Sequence, residues 1–399
     1  MGLNRVRARY NPPMQARPRE FLSDLLRTPS PSGFEARCAR VWLDYVGKYA
    51  DEVQTDAYGN AFAIVNPAGS PTVMLEGHSD EIGLMVTYID DEGYLWVSRI
   101  GGVDPKMLPG LRVVLHTPDG ELAGVIGATA PHMQDAKARE TSAAISDIYI
   151  DIGAGGKKEA TRLVTVGTPV TVDHGPVRLL GDTLAARSCD NKIGIWSAAE
   201  GLRRFAALGG KARVVAAAHV QEEVGLSGAA MGAFRWDPDV ALVVDVTNAT
   251  DYPNVDPKLR NKITMGGGPA IRVGPACHPK VVERLEKIAA ARKIKLQRVP
   301  IPGRSGTNAN AIYPARRGIP TGILSTPNRY MHSPSETINL QDLDQIPTLM
   351  AHFAADLKPR WTTKRSRGLR SAAAAASAGA SSMRQEKGRG LGPALFIPA

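Results

Sequence analysis

From Asp190 to Leu357 short apolar runs alternate with amphipathic stretches, and this alternation limits the possible folds more than any other feature of the chain. It predicts a helix over 192–207, strands over 213–220 and 240–246, a helix near 279–292, a strand over 294–299, a helix near 307–313, a strand over 319–325 and a last helix over 340–357. Strands that read as nearly continuous apolar runs are covered on both faces. The expected class is therefore α/β, with a mostly parallel sheet flanked by helices. Strands over 61–66 and 72–77 extend the pattern upstream. Between 84 and about 180 the character changes to short alternating runs punctuated by Asp91-Glu92-Gly93, Gly101-Gly102, Pro109-Gly110 and Pro118-Asp119-Gly120.

That punctuation predicts a small β-rich module (84–180) inserted into an α/β domain made of 19–83 and 181–357. Ahead of these lies a basic extension, 1–18, and behind them a basic low-complexity tail, 358–399, expected to be disordered. Ser32-Gly33-Phe34-Glu35 has the spacing of a capping box, and Phe34, Cys38, Val41, Trp42, Tyr45 and Tyr49 then fall on one helical face.

Charge enters the argument because the chain carries +10, a value that suggests nucleic acid or membrane surfaces. The ends hold it: residues 1–19 carry +5 and 358–399 carry +8, so 20–357 carry −3. Trp361 is the one aromatic residue among the basic ones of the tail, which is no series of stacking platforms, and nucleic acid is not expected as a partner. Three cysteines without a C-x-x-C spacing give no disulfide framework or zinc knuckle and fit a reducing cytoplasm. The basic start lacks an apolar stretch behind it, and no run approaches the ~18 apolar residues of a membrane span.

Five potential metal ligands sit at predicted strand ends or the loops after them: His78, Asp190, Glu223, Asp245 and His332. Open α/β sheets place their sites there, so residues far apart in sequence can converge. Each has an ordinary alternative, since a lone histidine after a strand is commonly a satisfied polar group. Asp245, however, lies among Val243, Val244 and Val246, where an unpartnered charge is costly. Two imidazoles with three carboxylates suit a pair of borderline divalent ions such as Zn²⁺ or Co²⁺, with one carboxylate able to bridge them.

The segments Gly77-His78-Ser79-Asp80-Glu81-Ile82-Gly83, Ser188-Cys189-Asp190-Asn191-Lys192, Gln221-Glu222-Glu223-Val224-Gly225-Leu226, Val244-Asp245-Val246-Thr247 and Asn328-Arg329-Tyr330-Met331-His332-Ser333 resemble, in this order, the metal-binding motifs of the M42 metallo-aminopeptidases. That family is also described as tetrahedral, glutamyl or deblocking aminopeptidases. The resemblance covers about 19–357. It implies a zinc-exopeptidase-like catalytic domain, with 84–180 as an inserted small β-barrel-like domain, in which His78 and Asp245 hold one metal, Glu223 and His332 the other, and Asp190 bridges them. Glu222 would be the general base, and Asp80 would orient His78. The insertion would serve dimerisation, and subunits would assemble into homo-oligomers, commonly a hollow dodecamer. Peptide would be the substrate.

One position departs from the pattern: where the family commonly reads Gly-Thr-Asp-Ala, this chain has Gly306-Thr307-Asn308-Ala309. If the missing carboxylate recognises the substrate's amino group, Asn308 is a substrate-binding position at which a free N-terminus is held less well. The expected function is a cytoplasmic dinuclear-metal aminopeptidase acting on short peptides. The alternative is a dimetal amidohydrolase for an N-blocked or unusual amide, and a reading of another class, a binder working through its basic ends, rests on charge alone.

Overall fold

The computed structural model describes residues 14–133 and 143–358. Residues 1–13 of the basic extension, 134–142 of the insertion and 359–399 of the tail lie outside them. Two helices open the chain, α1 (Ala16–Arg27) and α2 (Ala36–Val46). Their apolar faces meet: Phe21 stacks on Tyr45 with ring centroids 3.7 Å apart, and Trp42 is fully buried. The capping-box geometry is absent at α2, because Ser32 and Glu35 are used elsewhere. Ser32 Oγ donates to Asp80, while the Glu35 carboxylate accepts from Gly33 N and Gln221 N.

Strands β1 (Glu52–Thr55), β2 (Ala61–Val65) and β3 (Thr72–His78) lead into a closed barrel of β4 (Gly83–Ile89), β5 (Leu95–Ile100), β6 (Arg112–Thr117), β7 (Gly120–Ile126), β8 (Tyr149–Asp151) and β9 (Pro169–Val172). Inward positions such as Leu84, Val97, Leu115 and Ile150 alternate with exposed ones and fill its interior. A short helix, α3 (Lys157–Leu163), packs against it.

The main sheet continues with β10 (Val177–Arg178), β11 (Thr183–Ala186), β12 (Arg213–His219), β13 (Val240–Asn248), β14 (Ala270–Val273), β15 (Gln297–Pro300), β16 (Thr321–Arg329) and β17 (Glu336–Asn339), with helices α4 (Cys189–Leu208), α5 (Ser227–Trp236), α6 (Pro257–Arg260), α7 (Pro279–Ala291), α8 (Ala309–Ile312) and α9 (Leu340–Ala355) between and after them. Its order is β1-β2-β12-β3-β13-β16-β17-β11-β10, with β14 and β15 branching from β16. The sheet is mixed. Its centre, β12-β3-β13-β16, is parallel, and antiparallel strands add to both edges.

Helix α4 is buried almost all round and lies across the central strands. Contact is close because both sides are glycine: a Cβ on Gly77 would stand 2.5 Å from the carbonyl carbon of Gly194. On the opposite face α5 comes equally near through Gly228 and Gly232. No helix among the described residues is long and apolar enough to cross a membrane.

Candidate metal centre

The parallel centre of the sheet gathers the sequence-distant acids and imidazoles at one end. His78 is the last residue of β3, Glu222 and Glu223 follow β12, Asp245 lies near the end of β13, and His332 follows β16. Asp190 begins α4. Three turns into this locus use left-handed backbone without glycine, at Ser188 (φ 56°), Gln221 (φ 57°) and His332 (φ 60°). Each costs on the order of 1–3 kcal/mol and persists where surrounding structure enforces it, as at functional sites.

Distances define the cluster. Asp190 Oδ1 is 3.2 Å from His78 Nε2, and its Oδ2 is 3.4 Å from His332 Nε2, so one carboxylate spans both imidazoles. Glu223 Oε1 lies 3.5 Å from His332 Nε2. His78, Glu222 and Asp245 each offer an atom within 4.8 Å of the others, as do His78, Asp190 and Glu223. Asp80 is fully buried and works from behind: its oxygens accept from Glu222 N (3.0 Å), Glu223 N (3.1 Å) and Ser32 Oγ (2.6 Å), and Oδ1 lies 3.2 Å from His78 Nδ1. Seven of the eight expected site residues thus come together. Asn308 does not join them; it is buried, and its amide nitrogen donates to Glu76 at 2.9 Å.

Two groups here escaped the sequence. Glu336, in the short strand β17, accepts from Asp190 N and His332 N, both at 2.8 Å, and so ties two candidate ligands to one carboxylate. The only sequence signal was an acid four residues after His332. Glu81, next to Asp80, is clamped by Lys192 at 2.8 Å, by Arg187 and by Ser30 N at 2.8 Å, while Lys192 also donates to Thr28 O. The barrel closes a further side, since Cβ atoms on Gly101 and Gly102 would stand 3.1 Å from Glu223 Cβ and 2.7 Å from His332 Nδ1. A cleft opens beside Glu223 and His332, with Leu84, Met107, Leu108 and Val170 on its apolar wall.

The protonation pattern records an excess of negative charge. Burial pushes the Glu222 carboxyl up to about 7; the His78 charge opposes this, and Glu223 and Asp190 add to it. Glu223 is likewise raised to about 7 by burial and by Asp190. Burial, then the Asp190 charge, hold Asp245 and Glu336 well above the usual carboxylate range. The imidazoles answer: hydrogen bonding to Asp190 lifts His332 to about 9, and Glu222, Asp190 and Asp80 lift His78 despite its burial. Buried carboxyls outnumber imidazoles, and their nitrogen and oxygen donors converge, which is the chemistry of a divalent-cation site.

At the clamp the two partners shift in different senses. Burial dominates at Lys192, whose pKa is lowered, whereas at Glu81 two cations overcome burial and hold the carboxyl at about 2. Both groups are fully buried, so removing one leaves the other in a poor environment. Lys192→Met is expected to cost roughly 3 kcal/mol of unfolding free energy, read as a lower urea midpoint at unchanged slope. An unchanged midpoint would show that Arg187 alone suffices.

Residues 59–349 match the family model described as M42 glutamyl aminopeptidase. The lysyl aminopeptidase of Pyrococcus furiosus is 35% identical over 343 residues, covering 85% of this chain and 97% of that protein. Among solved structures, the TET aminopeptidase of a marine sediment thaumarchaeote aligns with a TM-score of 0.81 at 31% identity, over 86% of this chain and 97% of the other. The Pyrococcus horikoshii TET1 peptidase, which can assemble into a tetrahedron or a large octahedral shell, aligns with a TM-score of 0.77 at 31% identity, over 85% and 100%.

Proposed function

We propose an activity for this chain, which belongs to the M42 glutamyl aminopeptidase family and is a peptide hydrolase: it removes N-terminal residues from short peptides with a pair of divalent cations and a glutamate base. The observation that carries the reading is Asp190, whose two oxygens lie 3.2 and 3.4 Å from His78 and His332. In this reading His78 and Asp245 hold one cation, Glu223 and His332 the other, and Asp190 lies between them. Bound there, two cations such as Zn²⁺ or Co²⁺ would lower the pKa of water and polarise the scissile carbonyl.

The chain's own groups supply the rest. Glu222 is not needed as a ligand, and its carboxyl, raised towards neutrality by burial, accepts a proton from the attacking water and returns it to the leaving amine. Asp80 orients a ligand and the base together, the His78 ring through Nδ1 and the Glu222 backbone through its N–H. The apolar wall of the cleft excludes water from the peptide.

The relatives' names pair a lysyl activity with a glutamyl family, side chains of opposite charge, so the preferred N-terminal residue is not carried over. We extend the assembly of the TET relatives to this chain as a homo-oligomer in which the barrel supplies the dimer contact, checked by native mass. The N-blocked alternative drew on Asn308, which is not among the residues lining the cleft. A panel of free and N-acetylated peptides, run with elemental analysis, tests the proposal. About two cations per chain and turnover of free peptides alone are expected; preference for the acetylated form would overturn it.

A further inference from the structure

Directly behind His78, on the sheet face away from α4, Glu76 is fully buried and its Oε2 accepts twice, from His219 Nδ1 and from Asn308 Nδ2, both at 2.9 Å. His219 ends β12 and stands opposite His78 in the parallel register, while Asn308 heads α8. Three elements therefore meet on one carboxylate oxygen. Two residues beyond Glu76, β3 delivers His78; three and four beyond His219, the loop delivers Glu222 and Glu223. The ring of His219 has a fitted seat: Phe62 lies edge-on with centroids 5.9 Å apart, and a Cβ on Gly232 would come within 2.1 Å of Nε2.

The amide at 308 is what this carboxylate requires. An aspartate there, as in the pattern the chain otherwise resembles, would set two carboxylate oxygens 2.9 Å apart in a site closed to water, so that the pair must either take up a shared proton or move apart. We propose that Glu76, His219 and Asn308 act as one positioning unit that fixes where β3 and β12 deliver His78, Glu222 and Glu223, and that residue 308 is matched to Glu76 rather than to the substrate's amino group. Only the kinetic part of the test rests on the proposed activity; thermal stability does not.

Asn308→Asp should lower Tm by roughly 4–6 °C and kcat by roughly tenfold or more, with KM within about threefold, because misplaced groups slow the chemical step more than they weaken binding. Adding Glu76→Gln should restore most of both, since the new amide nitrogen carries two hydrogens, one for the aspartate and one for His219 Nδ1 in its other tautomer, leaving only the buried His219 Nε2–H without an acceptor. A single variant as stable and active as the parent, or a double variant that stays impaired, would overturn the unit. So would a shift towards N-acetylated peptides that persists in the double variant.

Gly232→Ala tests the unit even if Asn308→Asp fails to fold. In a helix interior this change normally stabilises, because alanine loses less backbone freedom than glycine. Here it should lower Tm by displacing His219, and in a His219→Ala background the same change should raise it. A rise in the parent would show that His219 is not seated as argued.

Discussion

Glu222→Gln is expected to lower kcat by roughly 10²–10⁴-fold while elemental analysis still finds about two cations per chain. The isosteric amide keeps the backbone bond from Glu222 N to Asp80 and the volume of the side chain, and loses only the ability to take a proton. The geometry also admits a competing outcome, because Glu222 offers an oxygen within 4.8 Å of His78 and Asp245 atoms. If the variant loses a cation in proportion to its activity, Glu222 is a ligand and the base lies elsewhere. A near-parental rate removes Glu222 from the mechanism altogether. The parent's rate should rise with pH through the titration of the base, at a value below 7, since nearby cations favour its charged form. That acidic limb should be missing in the variant's residual activity.

How much of this was legible in the sequence follows from which residues act locally and which through contacts. The α/β class, the inserted β-rich module and the convergence of His78, Asp190, Glu223, Asp245 and His332 follow from apolar periodicity and from acids and imidazoles at strand ends, both local patterns. Strands β1, β10, β11, β14 and β17 were missed because at two to four residues they are too short for an alternating pattern to stand out. Glu336 went unseen with β17, for its role depends on the Asp190 and His332 backbones it meets only in the fold. The capping box at Ser32 failed for a related reason: Asp80, 48 residues on, competes successfully for the hydroxyl. Asn308 was the instructive position. Its departure from a familiar pattern was visible at once, but the pairing with Glu76 that gives it meaning spans 232 residues.

Removing the cations is expected to reverse the pH dependence of stability. In the metal-free protein Glu222 and Glu223 titrate at about 7 rather than 4.5, and His332 at about 9 rather than 6.5, with His78 shifted the same way. All four bind protons more tightly folded than unfolded, so the folded chain holds extra protons between these limits, and stability falls as pH rises through them. Asp190 shifts oppositely, and its contribution is lost only in stronger acid. The chelated protein should therefore melt lower at pH 9 than at pH 5. Cations take the place of those protons and bind better as the ligands deprotonate, so the gap between loaded and chelated protein should widen with pH. At free cation about a thousandfold above Kd the gain is about 4 kcal/mol, or roughly 5 °C for a chain of this size. Melting curves at pH 5, 7 and 9, with and without chelator, decide it: a gap that stays constant would mean that these carboxylates and imidazoles are not what the cations engage.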